Sequence, residues 1–181
     1  SDGTVRIWNL TSGEAVAGFA GHSDRIYDIA LSPDGGLLAS ASRDGTARLW
    51  ELEWDEDTVL ATERATLADV EDHGGPVWAV AFDPAGRVLA TGGSDATTQV
   101  WDVESGRRLL TLAGHRGAVA NLAFSPDRRT LASGSLAGAV KLWDVTPEGG
   151  REWLTLPAHD FVSFDVNFSP GGEWLATSGF D

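Results

Sequence analysis

Four histidines, His22, His73, His115 and His159, recur along the chain at intervals of 42 to 51 residues. With serines and aspartates in the same stretches, two chemistries can be written from them: a shared metal site, or a Ser–His–Asp relay for acyl transfer. The spacing opposes both. Local pairs such as His-x-His or His-x-x-x-His, which put two imidazoles side by side, do not occur. The serines lie inside short strand-like runs, so a nucleophile there would be buried mid-strand with no oxyanion site beside it. The phosphate-cradling patterns GxGxxG and GxxxxGKS/T are missing, and the 22 glycines are assigned to turns. No enzyme activity, catalytic residue, metal ligand or cofactor is expected, and the histidines read as structural.

Their regularity is that of a repeat. Trp8, Trp50, Trp101 and Trp143 follow one another at 42, 51 and 42 residues, each at the end of a short apolar run (TVRIWN, TARLWE, TTQVWD, VKLWDV). Each unit also has a run of the type PVWAVAFD, a turn of the type SPDGG and a small-residue run such as LLASAS. Proline presets the first turn position, and glycine tolerates the positive φ such a turn needs. A fourth, more variable run leads back to the histidine. Four strands per period without helical periodicity make the chain all-β, and a period of about 40–45 residues points to stacked β units. The chain opens on SDGTVRIW and stops at LATSGFD, so one unit is expected to be divided between its two ends.

Composition bounds the partners. The formal charge is −14, from 27 acids against 12 arginines and one lysine, which opposes binding to nucleic acid or an anionic membrane. Residues 51–72 hold nine of the acids and one arginine, and read as a solvated extended loop or, failing that, an acidic docking surface. Cysteine is absent and no apolar stretch approaches the roughly 18 residues of a membrane span, so a reducing, cytoplasmic location is expected. Methionine is also absent, so either an initiator was removed before Ser1 or the chain was excised from something longer.

The residues Gly21-His22, Gly114-His115, Trp101-Asp102 and Trp143-Asp144, repeated in phase with Asp–Gly turns, resemble the WD40 repeat family. The resemblance covers nearly the whole chain and implies β-propeller blades of four antiparallel strands. It also implies a buried hydrogen-bonded tetrad of histidine, hydroxyl, aspartate and tryptophan in each blade. One set is His22, Ser40, Asp44 and Trp50; another is His73, Thr91, Asp95 and Trp101. The third has His115, Ser133 and Trp143, with Ala137 where aspartate belongs. The fourth is split, with His159, Thr177 and Asp181 at one end and Trp8 at the other; Asp2 shares the phase of Asp181. The expected organisation is one propeller segment over 1–181: strands c and d of a split blade in 3–20, repeats in 21–72, 73–113 and 114–157, and strands a and b in 158–181.

The first strand of each unit spaces its apolar anchors by three residues (Ile26 and Ile29, Val77 and Val80, Val119 and Leu122), where strict alternation would space them by two. A bulge is expected there. The resemblance places the residue after the first anchor on the face around the central channel: Tyr27, Trp78, Ala120 and Phe164. With Arg25, Arg43 and Arg116 nearby, these aromatics are the candidate partner-binding face, for an extended acidic or mixed-charge peptide. The expected function is a non-catalytic protein- or peptide-binding scaffold. The alternative is a purely structural self-assembling half-propeller, or an excised fragment of a longer WD40 protein with no ligand of its own. Open sheet edges are avoided in natural β proteins, so a homodimer closing an eight-bladed ring is expected.

Overall fold

The computed structural model describes residues 3–55, 58–68, 73–146 and 149–181. Among these residues sixteen strands are described: β1 (Thr4–Trp8), β2 (Ala15–Ala20), β3 (Ile26–Leu31), β4 (Leu37–Ser42), β5 (Ala47–Trp54), β6 (Val59–Ala68), β7 (Val77–Phe82), β8 (Val88–Gly93), β9 (Thr97–Asp102), β10 (Arg108–Ala113), β11 (Val119–Phe124), β12 (Thr130–Ser135), β13 (Val140–Asp144), β14 (Arg151–Leu156), β15 (Val162–Phe168) and β16 (Leu175–Phe180). They form three four-stranded antiparallel sheets, β3–β6, β7–β10 and β11–β14, flanked by the pairs β1–β2 and β15–β16. Each sheet is a blade whose strands follow chain order from the first outward.

Turn chemistry sets the joints. In the Ser32-Pro33-Asp34-Gly35 turn, Gly35 sits at φ 74°, its amide donates to the Ser32 carbonyl at 2.9 Å, and the Ser32 hydroxyl donates to Asp34 at 2.6 Å. Glycine holds the same left-handed position in the next blade, but in the third blade Arg128 does so, at φ 66°. The reason is visible across the interface, where the Arg128 guanidinium reaches the buried Asp83 carboxylate of the preceding blade at 2.7 Å. An ion pair to a buried acid offsets the strain of a side chain at positive φ.

The core lies between blades. One apolar cluster joins Ala39, Ala41 and Leu49 of the first blade to Val77, Leu89 and Trp101 of the second, and the pattern repeats at each junction, with Val5 and Val166 bringing the terminal pairs into it. The second strands are built of small residues because the next blade comes so close. A Cβ on Gly92 would stand 2.7 Å from the Val119 carbonyl oxygen, and one on Gly134 would stand 2.7 Å from the Ser163 hydroxyl. Blade-to-blade burial of this kind is how stacked β repeats gain stability. At both ends of the array apolar side chains stay open to solvent, including Ile29 and Leu31 on β3 and Phe180 on β16.

The acidic stretch corrects the sequence reading. Residues 51–54 and 59–68 are not a loop but belong to the long hairpin of β5 and β6, paired from Ala47↔Ala68 out to Trp54↔Val59. Leu52 and Val59 are buried against the cluster around Val5, while the acids project away from it, which gives the segment a strand's one-sided burial. Residues 56, 57 and 69–72 of that stretch, and Asp2, lie outside the described residues. Among the described residues no helix is long and apolar enough to cross a membrane.

Candidate functional site

Two sets of side chains stand out: the buried polar chains within blades, and the surface where the first strands converge. In the first blade the Trp50 indole donates to the Ser40 hydroxyl at 2.9 Å, and Ser40 and His22 Nε2 are 2.7 Å apart. An indole can only donate, so the serine oxygen accepts from it and gives its own proton to Nε2. That leaves the proton on Nδ1, which points at Asp44 Oδ2 at 2.9 Å. Burial alone would raise the Asp44 carboxyl, but hydrogen bonds from Thr46, Ser23 and His22 outweigh it and hold it at about 2. Burial also pushes His22 below its ordinary value, with Asp44 opposing. The imidazole is a neutral relay of hydrogen bonds.

The second blade repeats this arrangement, with Trp101 on Thr91 at 3.0 Å, Thr91 beside His73 Nε2 at 2.8 Å, and His73 Nδ1 on Asp95 at 3.1 Å. The third blade does not complete it. Trp143 and Ser133 are 2.7 Å apart and Ser133 and His115 2.6 Å, but Ala137 offers no acceptor, and among the described residues the buried His115 Nδ1 has no hydrogen-bond partner. Burial, assisted by the Lys141 charge, lowers His115 to about 4. At the C-terminal pair His159 lies 3.1 Å from Thr177 and 3.2 Å from Asp181, while Trp8, on the other terminal pair, is 54% exposed. The hydroxyl residues of these three chains, Ser40, Thr91 and Ser133, are fully buried.

The convergent surface owes its shape to the bulges. Register shifts fall between Ile26 and Asp28, Val77 and Ala79, Val119 and Asn121, and Ser163 and Asp165. The displaced residues are Tyr27, Trp78, Ala120 and Phe164, all of which line one cavity of about 500 Å³ between β3, β7, β11 and β15. Tyr27 and Trp78 stack face to face, with centroids 4.4 Å apart and planes inclined by 6°. The Trp78 indole is fixed by donation to the Ser94 hydroxyl at 2.9 Å, and that hydroxyl donates to the Pro76 carbonyl at 3.0 Å. Phe164 is 59% exposed. Arg25, Arg43 and Arg116 are exposed but do not line the cavity, and Arg43 lies 3.7 Å from Asp24.

The position after each bulge carries residues that the sequence reading passed over. Asp28 Oδ2 accepts from the Val80 amide of the next blade at 3.0 Å, and Asn121 donates to the Ser163 carbonyl at 2.8 Å, so these side chains tie neighbouring first strands together. Asp165 occupies the same phase on β15. Burial raises Asp28 above the ordinary carboxyl value, and the Asp165 charge adds to the effect while two amide hydrogen bonds oppose it. The signal in the sequence was a polar residue directly after the bulge position in three of the four units, Asp28, Asn121 and Asp165, with Ala79 in the remaining one.

Comparison with known proteins agrees with this geometry. The family model of the WD domain, G-beta repeat (WD40) matches residues 13–51, 64–102, 106–144 and 150–181. Each match straddles two sheets: the second begins within β6 and ends with β9, so one sequence repeat spans the outer strand of one blade and the three inner strands of the next. Similar proteins include WD repeat-containing protein VIP3 of Arabidopsis thaliana, 35% identical over 113 residues, which is 62% of this chain and 32% of that protein. Small ribosomal subunit protein RACK1y of Oryza sativa subsp. japonica is 33% identical over 104 residues, 58% of this chain and 28% of that protein. WD repeat and SOCS box-containing protein 1 of Danio rerio is 32% identical over 105 residues, 58% of this chain and 23% of that protein. The chain thus aligns with about a quarter to a third of the length of these relatives. Four matched repeats, laid out as three antiparallel four-stranded blades with buried histidine–hydroxyl–indole chains and two flanking strand pairs, place this protein in the WD40 repeat family.

Proposed function

We propose that the chain is a non-catalytic interaction platform that binds an extended peptide segment of a partner protein across the channel face, with Tyr27, Trp78 and Phe164 as anchors. One observation carries the reading: successive bulges turn these three rings into a single shared cavity, although the fold does not require an aromatic there, as Ala120 in the third blade demonstrates. Aromatic side chains in concave, partly desolvated settings supply most of the energy in protein interfaces. Two of the relatives named above carry WD repeat in their names, which supports the scaffold role at that general level. A peptide-array screen with the wild type and with Trp78→Ala tests it. Ligands that lose affinity at least tenfold on Trp78→Ala, with fold and mass unchanged, are the expected result. Ligands indifferent to both Trp78→Ala and Tyr27→Ala would move the site elsewhere.

We further propose that a second copy completes the split blade, β1–β2 of one chain lying beside β15–β16 of the other. This is supported by complementary incompleteness. Trp8 stands half in solvent, while His159, Thr177 and Asp181 form the remainder of a tetrad. Light scattering at micromolar concentration should give twice the chain mass. A monomeric mass would refute closure by two copies and leave the end strands to be covered by other parts of a longer protein.

A further inference from the structure

The channel cavity has a charge character that its aromatic lining does not reveal. Beside Tyr27, Trp78 and Phe164 its wall carries the carboxylates of Asp28 and Asp165 and the amide of Asn121, and among the described residues no lysine or arginine lines it. Asp165 is exposed, and among the described residues its oxygens accept from the Val166 amide and the Asn167 side chain, which leaves lone pairs on both. Asp28 is half-buried and shares the cavity with Asp165, so two like charges face one space in a protein already at −14. Arg25, Arg43 and Arg116 are not among the residues that line it.

We propose that this cavity receives the cationic side chain of an arginine or lysine on the bound peptide, its stem packed against the aromatic rings and its charge directed to Asp165 and Asp28. The inference rests on the platform reading above and gives the central residue of the ligand its chemistry. Aromatic faces attract a cation through their quadrupole, most strongly where water is partly excluded, and the stacked Tyr27–Trp78 pair offers a fixed face. A carboxylate at the end of the same cavity converts that attraction into a charge-assisted hydrogen bond. The long-range field acts in the same direction, because a net negative protein with an acidic cavity concentrates cations at the mouth. An acidic ligand residue, which the rim arginines had pointed to, would be accommodated outside the cavity, flanking the cation. The proposal therefore puts a basic residue at the anchor of a mixed-charge peptide.

The test uses the full chain and four short capped peptides identical except at one central position: arginine, lysine, citrulline and norleucine. Binding is read from the Trp78 indole resonance by NMR and from intrinsic fluorescence. The arginine peptide is expected to bind at least tenfold more tightly than the citrulline and norleucine peptides, and to weaken as salt rises. Asp165→Asn, at an exposed position, should lower arginine-peptide affinity about tenfold without changing mass or melting temperature, and Trp78→Ala should lower it for every peptide. Equal binding of the arginine, citrulline and norleucine peptides would overturn the proposal, as would an unchanged affinity in Asp165→Asn or a Trp78 resonance unmoved by the arginine peptide. Array ligands that need Trp78 yet contain no basic residue would overturn this inference while leaving the platform reading intact.

Discussion

Replacing Ala137 with aspartate should make the protein more stable by completing the third blade's polar chain. In the first blade Asp44 accepts from His22 Nδ1, the Ser23 amide, the Thr46 amide and the Thr46 hydroxyl. In the third blade Ala139 stands where Thr46 does, so a new carboxylate would meet three donors: His115 Nδ1 and the amides of Arg116 and Ala139. Relieving one buried unsatisfied donor is worth about 1–3 kcal/mol. Against this stand the cost of burying a carboxylate and a crowded neighbour, since a Cβ on Gly117 would lie 3.2 Å from that of Ala137. The net expectation is a gain of about 1–2 kcal/mol, which for a chain of this size raises the melting temperature by roughly 2–8 °C. Urea and thermal unfolding at pH 7 measure it. NMR titration of the His115 ring supplies a second readout, because a facing carboxylate must raise its pKa from about 4. Ala137→Asn, a neutral acceptor of the same shape, should give a smaller gain. If Ala137→Asp were no more stable than the wild type and the His115 titration stayed where it was, the missing acceptor would not be what limits this blade.

Acid should destabilise the protein in two stages. His115 is lowered in the folded state, so its contribution is complete above the ordinary pKa of 6.5 and falls as pH drops towards 4, by at most about 3 kcal/mol; a flat urea midpoint between pH 6.5 and 4 would contradict this. Asp44 is also lowered, and its contribution should disappear only as pH falls from 3.8 to about 2, so Asp44→Asn should shrink the later stage, to which other lowered carboxylates such as Asp127 and Asp144 also contribute, and leave the earlier one. Arg128→Gly relieves a left-handed side chain but strips the ion pair from buried Asp83, and the pair should prevail by about 1 kcal/mol; a variant more stable than the wild type would mean that strain dominates. Trp8→Ala should cost the full 3–5 kcal/mol of a buried tryptophan and lower the mass if a second copy covers it; unchanged mass with a loss below about 1 kcal/mol would return Trp8 to the solvent-exposed surface.

What the sequence determined by itself is what repeats. Strand order and the turn positions were legible because each depends on residues within one blade, whereas the histidine–hydroxyl–indole chains were expected from the resemblance to the WD40 family and not from the spacing itself. Within a blade, alternation, a proline–glycine turn and a fixed phase settle which side chains meet. The bulge at Tyr27 and its counterparts was legible for the same reason, as a three-residue spacing of anchors. One local reading still misled, and one turn residue went unread. The acids of β5 and β6 looked like a loop because an outer strand buries only one side, and Leu52 and Val59 are too few to show through the charge. Arg128 stands where the repeat calls for glycine because its partner, Asp83, lies 45 residues away on another blade. Tertiary structure decided everything that crosses between blades. The stacking of Tyr27 on Trp78, the hold of Asp28 on the Val80 amide, and the presence of Asp28 and Asp165 in one cavity join residues 51 to 137 positions apart. A repeat period fixes each residue's height and face within its own sheet, but the atoms that oppose one another across an interface are set by how sheets pack, and only the folded chain brings those atoms together.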